Sequence, residues 1–238
     1  MRILAIDTSL GSGSVAAVDQ DGSAERPLGP AGGHARVLTE ALAEVAAARG
    51  WGVGPQALGS LGPSDVVAVI RGPGSFTGLR VGIAAAKALA WTTGARLVAV
   101  SGFDVLARRA ARVASWHYEP IAIAYDAGRG DVFAAIATPT AHGWTVSPPA
   151  LVPLDAWLES LPAGGRVTGP ALDVAPERFA ARNDLAVAPP EAWHPLAADT
   201  AAIARVRAEA GDVDDPHTLL PDYLRPSYAE ERKPPAAG

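Results

Sequence analysis

Two short segments carry residue types suited to phosphate chemistry. Asp7-Thr8-Ser9 follows the apolar run Ile3-Leu4-Ala5-Ile6, so a carboxylate and two hydroxyls stand at the end of a strand, in the crevice above a sheet. That trio reads either as a phosphate contact or as a side-chain-capped turn. The second segment, Arg71-Gly72-Pro73-Gly74-Ser75-Phe76-Thr77-Gly78-Leu79-Arg80, lies between a buried strand and a helix. It is not a P-loop, which has four residues between its glycines and then Lys and Ser/Thr. Here Gly74 and Gly78 enclose three residues, and Leu79 stands where lysine would be. A dinucleotide loop fits little better. The next strand, Arg96 to Val100, ends at Ser101 with no acid for a ribose, and Phe76 would crowd a pyrophosphate. A tight turn built from Gly72, Pro73 and Gly74, with Ser75 capping the helix, accounts for the segment.

Other chemistries find fewer residues. The histidines are His34, His117, His142, His194 and His217, no two lie within five residues, and cysteine is absent. A transition-metal site would have to be assembled from distant parts, and no metal ligand is predicted. No serine sits in a nucleophile elbow, and no Ser–His–Asp set is suggested, so no catalytic residue is assigned. His34, at the start of a helix, reads as a partly buried structural or interface residue.

The helix after the glycine segment, Phe76 to Thr93, has two informative faces. Gly78, Gly82, Ala86 and Ala90 fall four apart, although a glycine inside a helix costs about 1 kcal/mol relative to alanine. So bare a face admits another backbone, that of the chain's own sheet or of another chain. Arg80, Ala84, Lys87 and Trp91 form the other face, either solvated or an anchor for a partner.

These segments need a frame. Apolar runs at Arg2–Asp7 and Ser14–Val18 flank a small-residue turn and read as a hairpin, with a short third strand at Glu25–Leu28. His34–Arg49 has helical spacing at Leu38, Ala41, Leu42, Val45 and Ala48, and Gly50 ends it. The strand Asp65–Ile70, the helix Phe76–Thr93 and the strand Arg96–Val100 complete an α/β unit of about 100 residues. Phe103–Ala114 reads as a helix with an exposed basic edge, Arg108, Arg109 and Arg112. Pro120–Tyr125 and Val132–Ala137 form a second hairpin around Asp126-Ala127-Gly128-Arg129-Gly130-Asp131. Shorter elements are expected near 154–161, 166–168, 176–182 and 196–210. Each half thus opens with a strand pair meeting at an aspartate-bearing turn, the mark of a duplicated fold.

Composition narrows the function. The chain has 238 residues, 51 of them alanine, and its 18 arginines outnumber its two lysines. Such bias follows a GC-rich genome, so alanine abundance alone says little. A net charge of -5 argues against a chain that grips nucleic acid by itself. No apolar run is long enough to span a membrane, no signal peptide is recognised, and the cytoplasm is the expected location.

Taken together, Ile3-Leu4-Ala5-Ile6-Asp7-Thr8-Ser9, His34 opening a helix, and the ten residues Arg71–Arg80 closely resemble the TsaB (YeaZ) family. The Asp126–Phe133 hairpin and Pro221-Asp222-Tyr223-Leu224-Arg225 fit it too, although Ala35 stands where the family often has serine. The resemblance covers roughly residues 1–135 and 219–225. It implies an α/β fold of two actin-like (ASKHA) lobes, each a mixed sheet flanked by helices, which divides the chain at 1–105 and 106–228; the polar, charged composition from Ala229 predicts a disordered tail at 229–238.

It also implies a non-catalytic scaffold in the assembly that makes threonylcarbamoyladenosine (t6A) beside the anticodon. A TsaD-like subunit performs the transfer and a TsaE-like ATPase joins it. ATP and metal are then expected on those partners, with no cofactor on this chain alone. tRNA is reached only through the complex, and the isolated chain can self-associate. The first two helices would form the partner interface, through His34, Leu38, Ala41, Val45, Gly78, Arg80, Gly82, Ala86, Lys87 and Trp91. Asp7, Thr8 and Ser9 would be relics of a phosphate loop. Two other readings compete: an independent ASKHA-type ATPase or kinase using Asp7, and a peptidase.

Overall fold

The structure is a computed structural model that describes residues 1–30, 32–141 and 143–225. The expected tail at 229–238 lies outside the described residues. Along the chain run β1 (Ile3–Asp7), β2 (Ser14–Asp19), β3 (Gly22–Pro27), α1 (His34–Ala48), α2 (Gln56–Gly59), β4 (Val66–Gly72), α3 (Phe76–Thr93), β5 (Arg96–Ser101) and α4 (Gly102–Ala114). Then follow β6 (Ile121–Gly128), β7 (Asp131–Thr140), β8 (Gly143–Val146), β9 (Ala150–Pro153), α5 (Leu154–Ser160), β10 (Arg166–Thr168), α6 (Ala171–Val174), α7 (Pro176–Ala181), β11 (Ala186–Val187) and α8 (Ala197–Glu209).

Two mixed sheets organise these elements in the two-lobe, actin-like arrangement. The first has the order β3-β2-β1-β4-β5 and the second β8-β7-β6-β10-β11, with β9 also pairing β7. In each, a hairpin supplies the antiparallel half and two later strands add in parallel. The two lobes therefore share one topology.

Alternation along the strands sorts the side chains by face, as a pleated strand buried on both sides must. In β1, Leu4 and Ile6 meet the helices α1, α2 and α3, while Ile3 and Ala5 meet α8. In β6, Ala122 and Ala124 face α5, α6 and α7, while Ile121, Ile123 and Tyr125 face α4. α4 bridges the lobes: Val105 packs on the first sheet, and Phe103 and Leu106 on the second.

Two expectations change here. The division at 1–105 and 106–228 assigns α8 to the second lobe, yet Ala197, Ala201, Ala204 and Ala208 lie flat on β1, β4 and β5 of the first. That spacing of four, three and four is one helical face, and its small side chains let the helix sit close to the sheet. Here alanine is structural rather than mere bias. The basic edge of α4 is also divided. Arg109 is buried, donating to Glu191 O at 2.6 Å and pairing with Asp199 at 2.8 Å, while Arg108 stays exposed.

Candidate functional site

The β1–β2 turn and the glycine segment meet directly. Ser9 donates to Asp7 Oδ1 twice, from its amide at 2.9 Å and its hydroxyl at 2.6 Å. The turn is thus capped by its own carboxylate. The amide of Ser75 donates to Ser9 O at 2.7 Å, and Thr8 Oγ1 donates to Gly78 O at 2.7 Å. Ser75 caps α3, its hydroxyl accepting from the Gly78 amide at 3.2 Å.

The glycines serve this contact. A Cβ at Gly74 would stand 2.4 Å from Ser9 O, at Gly78 2.1 Å from Thr8 O, and at Gly82 2.3 Å from Thr8 Oγ1. No side chain fits at such distances, so the first turns of α3 lie directly on the hairpin. The helical face that the sequence left to either the chain's own sheet or another chain is therefore filled by this chain's own Thr8 and β1. Asp7, next to Thr8 in the turn, is 1% exposed. Burial pushes its carboxyl up to about 6, against the lowering effect of the Ser9 bonds and the nearby His34.

The predicted interface residues separate into two groups. Leu38, Ala41, Val45 and Ala86 belong to the core between the first sheet and its helices, and Gly82 is buried beside them. His34 is buried, its Nε2 lying 3.2 Å from Gly29 O. Gly78 is half-buried on Thr8. None of these presents a surface to a partner in this conformation. Arg80 and Trp91 face outward, Trp91 with 65% exposure, and Lys87 is half-buried.

That outward face has a neighbour the periodicity of α3 could not reveal. The segment 214–225 returns along the helix as a strap. His217 packs edge-on to Trp91 at 4.6 Å, Lys87 Nζ donates to Leu219 O at 3.2 Å, and Tyr223 stacks on Phe76 at 5.0 Å. Arg80 donates to Tyr223 Oη at 2.7 Å and lies 3.7 Å over the Phe76 ring. Asp222 pairs with Arg71 at 2.7 Å, and Arg225 then reaches the second lobe, pairing with Asp131 at 2.6 Å. The Asp222 and Arg225 pairs thus tie the lobes together. The sequence signal was the Pro221–Arg225 block, which marks a segment without saying where it docks.

A cleft of about 600 Å³ lies between the lobes, lined by Leu10, Ser75, Phe76, Phe133, Tyr223 and Arg225 among others. Asp7, Thr8 and Ser9 are not among its lining residues. Among the described residues, no group of three or more His, Asp or Glu side chains could hold a metal ion.

Comparisons with known proteins point to one family. A family model described as tRNA N6-adenosine threonylcarbamoyltransferase, TsaD, matches residues 34–144. The Bacillus subtilis protein TsaB, of tRNA threonylcarbamoyladenosine biosynthesis, is 30% identical over 184 residues, which is 72% of this chain and 75% of that protein. The structure of YeaZ from Pseudomonas aeruginosa superposes with a TM-score of 0.74 at 25% identity, covering 94% of this chain and 99% of that one. A second structure, of an uncharacterized protein with similarity to peptidase YeaZ from Pseudomonas aeruginosa, gives the same figures.

Proposed function

The chain belongs to the TsaB family, and from that premise we propose that it is a non-catalytic scaffold subunit in tRNA threonylcarbamoyladenosine biosynthesis. It seats a TsaD-like catalytic subunit against the outer side of α1 and α3. A TsaE-like ATPase joins the assembly, ATP and metal are held by those partners, and tRNA reaches this chain within the complex. The same outer side serves self-association when the chain is alone. The assembly works in the cytoplasm; no helix among the described residues is long and apolar enough to cross a membrane.

The observation that carries this reading is the burial of Asp7. An acid that orients a metal or a phosphate must reach its ligand, and Asp7 is buried and committed to Ser9. This weighs against the ATPase or kinase alternative. The peptidase reading gains no nucleophile from the fold.

The partner surface shifts accordingly, from the glycine side of α3 to its outer side. Thr77, Ala84, Ala88 and Trp91 are exposed on α3, and Arg36, Glu40 and Glu44 on α1. Between the helices Val37, Val81, Ala85 and Leu89 are only half-buried. Small residues at the centre with charges and an exposed tryptophan at the rim suit an approaching helix pair.

Ala84→Arg and Ala88→Arg test the surface. Both positions are exposed, so the monomer should melt as the wild type does. Affinity for a TsaD-like subunit, read by co-elution and calorimetry, should fall by about 30-fold or more. Wild-type affinity in both variants removes this interface.

A further inference from the structure

A cavity of about 640 Å³ belongs to neither the hairpin nor the α1–α3 surface. It opens between α4, α8 and β8, and its walls bear Arg108, Arg112, His117, Trp144, Val206 and Arg207. Its volume falls within the range of small-molecule sites.

The lining is chemically divided. Val206, 62% exposed, and the half-buried Ile203 make an apolar floor, and the half-buried indole of Trp144 stands opposite on β8. Arg112 and Arg207 are held in place by acids, Arg112 by Asp199 at 3.1 Å and Arg207 by Asp212 at 2.6 Å. Asp104 also lines the cavity. Arg108 differs: it is exposed, and no hydrogen bond or ion pair among the described residues engages it. Next to the mouth runs Trp116-His117-Tyr118, with Tyr118 87% exposed and its ring 6.2 Å from that of His117. Ser115, which starts this aromatic run, holds a left-handed conformation at φ 58°, uncommon outside glycine, and turns it away from the end of α4.

A free guanidinium, the exposed ring of His117 and the half-buried indole of Trp144 in one cavity are the composition of a stacking platform for unpaired bases, whose phosphates need the cation and whose faces need the rings. With Arg112 and Arg207 already paired to acids, Arg108 is the arginine of this cavity left to take a phosphate, and the apolar floor and rings are left for a base. We propose that this cavity is an RNA contact, holding one unpaired nucleotide with its base against Trp144 and His117 and its phosphate on Arg108. The choice of RNA rests on the tRNA-pathway reading; the contact adds to binding by the partner subunit and is weak alone, as the net charge of -5 requires.

An NMR titration of the full ¹⁵N-labelled chain in 50 mM salt, with a 17-nucleotide anticodon-arm hairpin as probe, tests the site. The Trp144 indole N–H and the amides of His117 and Tyr118 should shift saturably, while the Trp51 and Trp157 indoles stay fixed. Arg108→Glu and Tyr118→Ala alter exposed side chains and should weaken the apparent affinity by about 5- to 10-fold each. Arg178→Glu, an equal charge change at an exposed arginine of α7, should weaken it by less than about twofold. No saturable shift at Trp144, or equal losses in Arg178→Glu, overturns the proposal. So does a stronger response to free ATP than to the hairpin, which makes the cavity a mononucleotide site. A response to a TsaD-like subunit instead of RNA makes it a protein contact. The partner-surface variants Ala84→Arg and Ala88→Arg leave these shifts unchanged, so the two readings fail independently.

Discussion

In the first lobe, the strand ending at Asp7 is pinned beneath the 18-residue helix α3; in the second, the equivalent strand carries Asp126 into a turn that stays in solvent. The two aspartates make the same local bond: Asp7 Oδ1 accepts from the Ser9 amide and Asp126 Oδ1 from the Gly128 amide, each two residues on. The parallel strand beside each hairpin also ends in the same dipeptide, Gly72-Pro73 after β4 and Gly169-Pro170 after β10. What differs is the element that follows. After Gly72-Pro73 comes a long helix whose glycines press onto the hairpin; after Gly169-Pro170 comes the four-residue α6. One duplicated framework thus yields a sealed turn and an open one, and the sealed turn is where an ASKHA enzyme would work. On the proposed scaffold reading, loss of access rather than loss of the aspartate is what would separate this chain from an ATPase.

The sharpest way to break the contrast is to insert a side chain on each side of it. Gly78→Ala drives a methyl against Thr8 O and should cost about 2–4 kcal/mol in chemical denaturation, within the range for overpacking against a fixed backbone. Gly82→Leu should leave little folded chain, so it cannot serve as a clean interface variant. Gly128→Ala in the open turn meets no atom within 4 Å and pays only for its left-handed backbone at φ 73°, about 1 kcal/mol. Equal costs at Gly78 and Gly128 would mean that α3 does not rest on the hairpin.

A second contrast is in pH dependence. Burial raises Asp7 from 3.8 to about 6, so its contribution is fully present below the unfolded value and is lost as pH rises through about 6. The stability difference between wild type and Asp7→Asn should therefore move by about 2.5 kcal/mol between pH 4 and pH 7.5, the variant gaining on the wild type as pH rises. Asp126→Asn, at an exposed carboxyl, should show a difference that is flat over the same range. Matching profiles for the two variants would contradict the burial of Asp7.

How much of this was legible in the sequence depended on element length. α3 spans Phe76–Thr93 as expected, capped by Ser75 and stopped by Gly94 in the left-handed conformation, because each signal is local and strong. α1 likewise begins at His34. β8, β9, α6 and β11 span two to four residues each, too few to complete a period, and only their pairing defines them. At the site, the spacing of Gly78 and Gly82 announced a close approach but not what approaches. Thr8 lies 70 residues away, and nothing in helical periodicity specifies which sheet lies beneath. The strap over Trp91 and the Arg109–Asp199 pair were hidden for the same reason, since their partners stand about 90 or more residues apart along the chain.

The central claim is that this chain supports a reaction whose chemistry is done elsewhere. The most direct measurement is t6A formation on tRNA by the chain reconstituted with TsaD-like and TsaE-like subunits, comparing wild type with Asp7→Asn at matched complex concentration. The turnover of the variant should stay within about twofold of wild type, and neither version should modify tRNA without its partners. A loss of 100-fold or more in Asp7→Asn, with the complex intact by co-elution, would contradict the account and return Asp7 to the catalytic machinery.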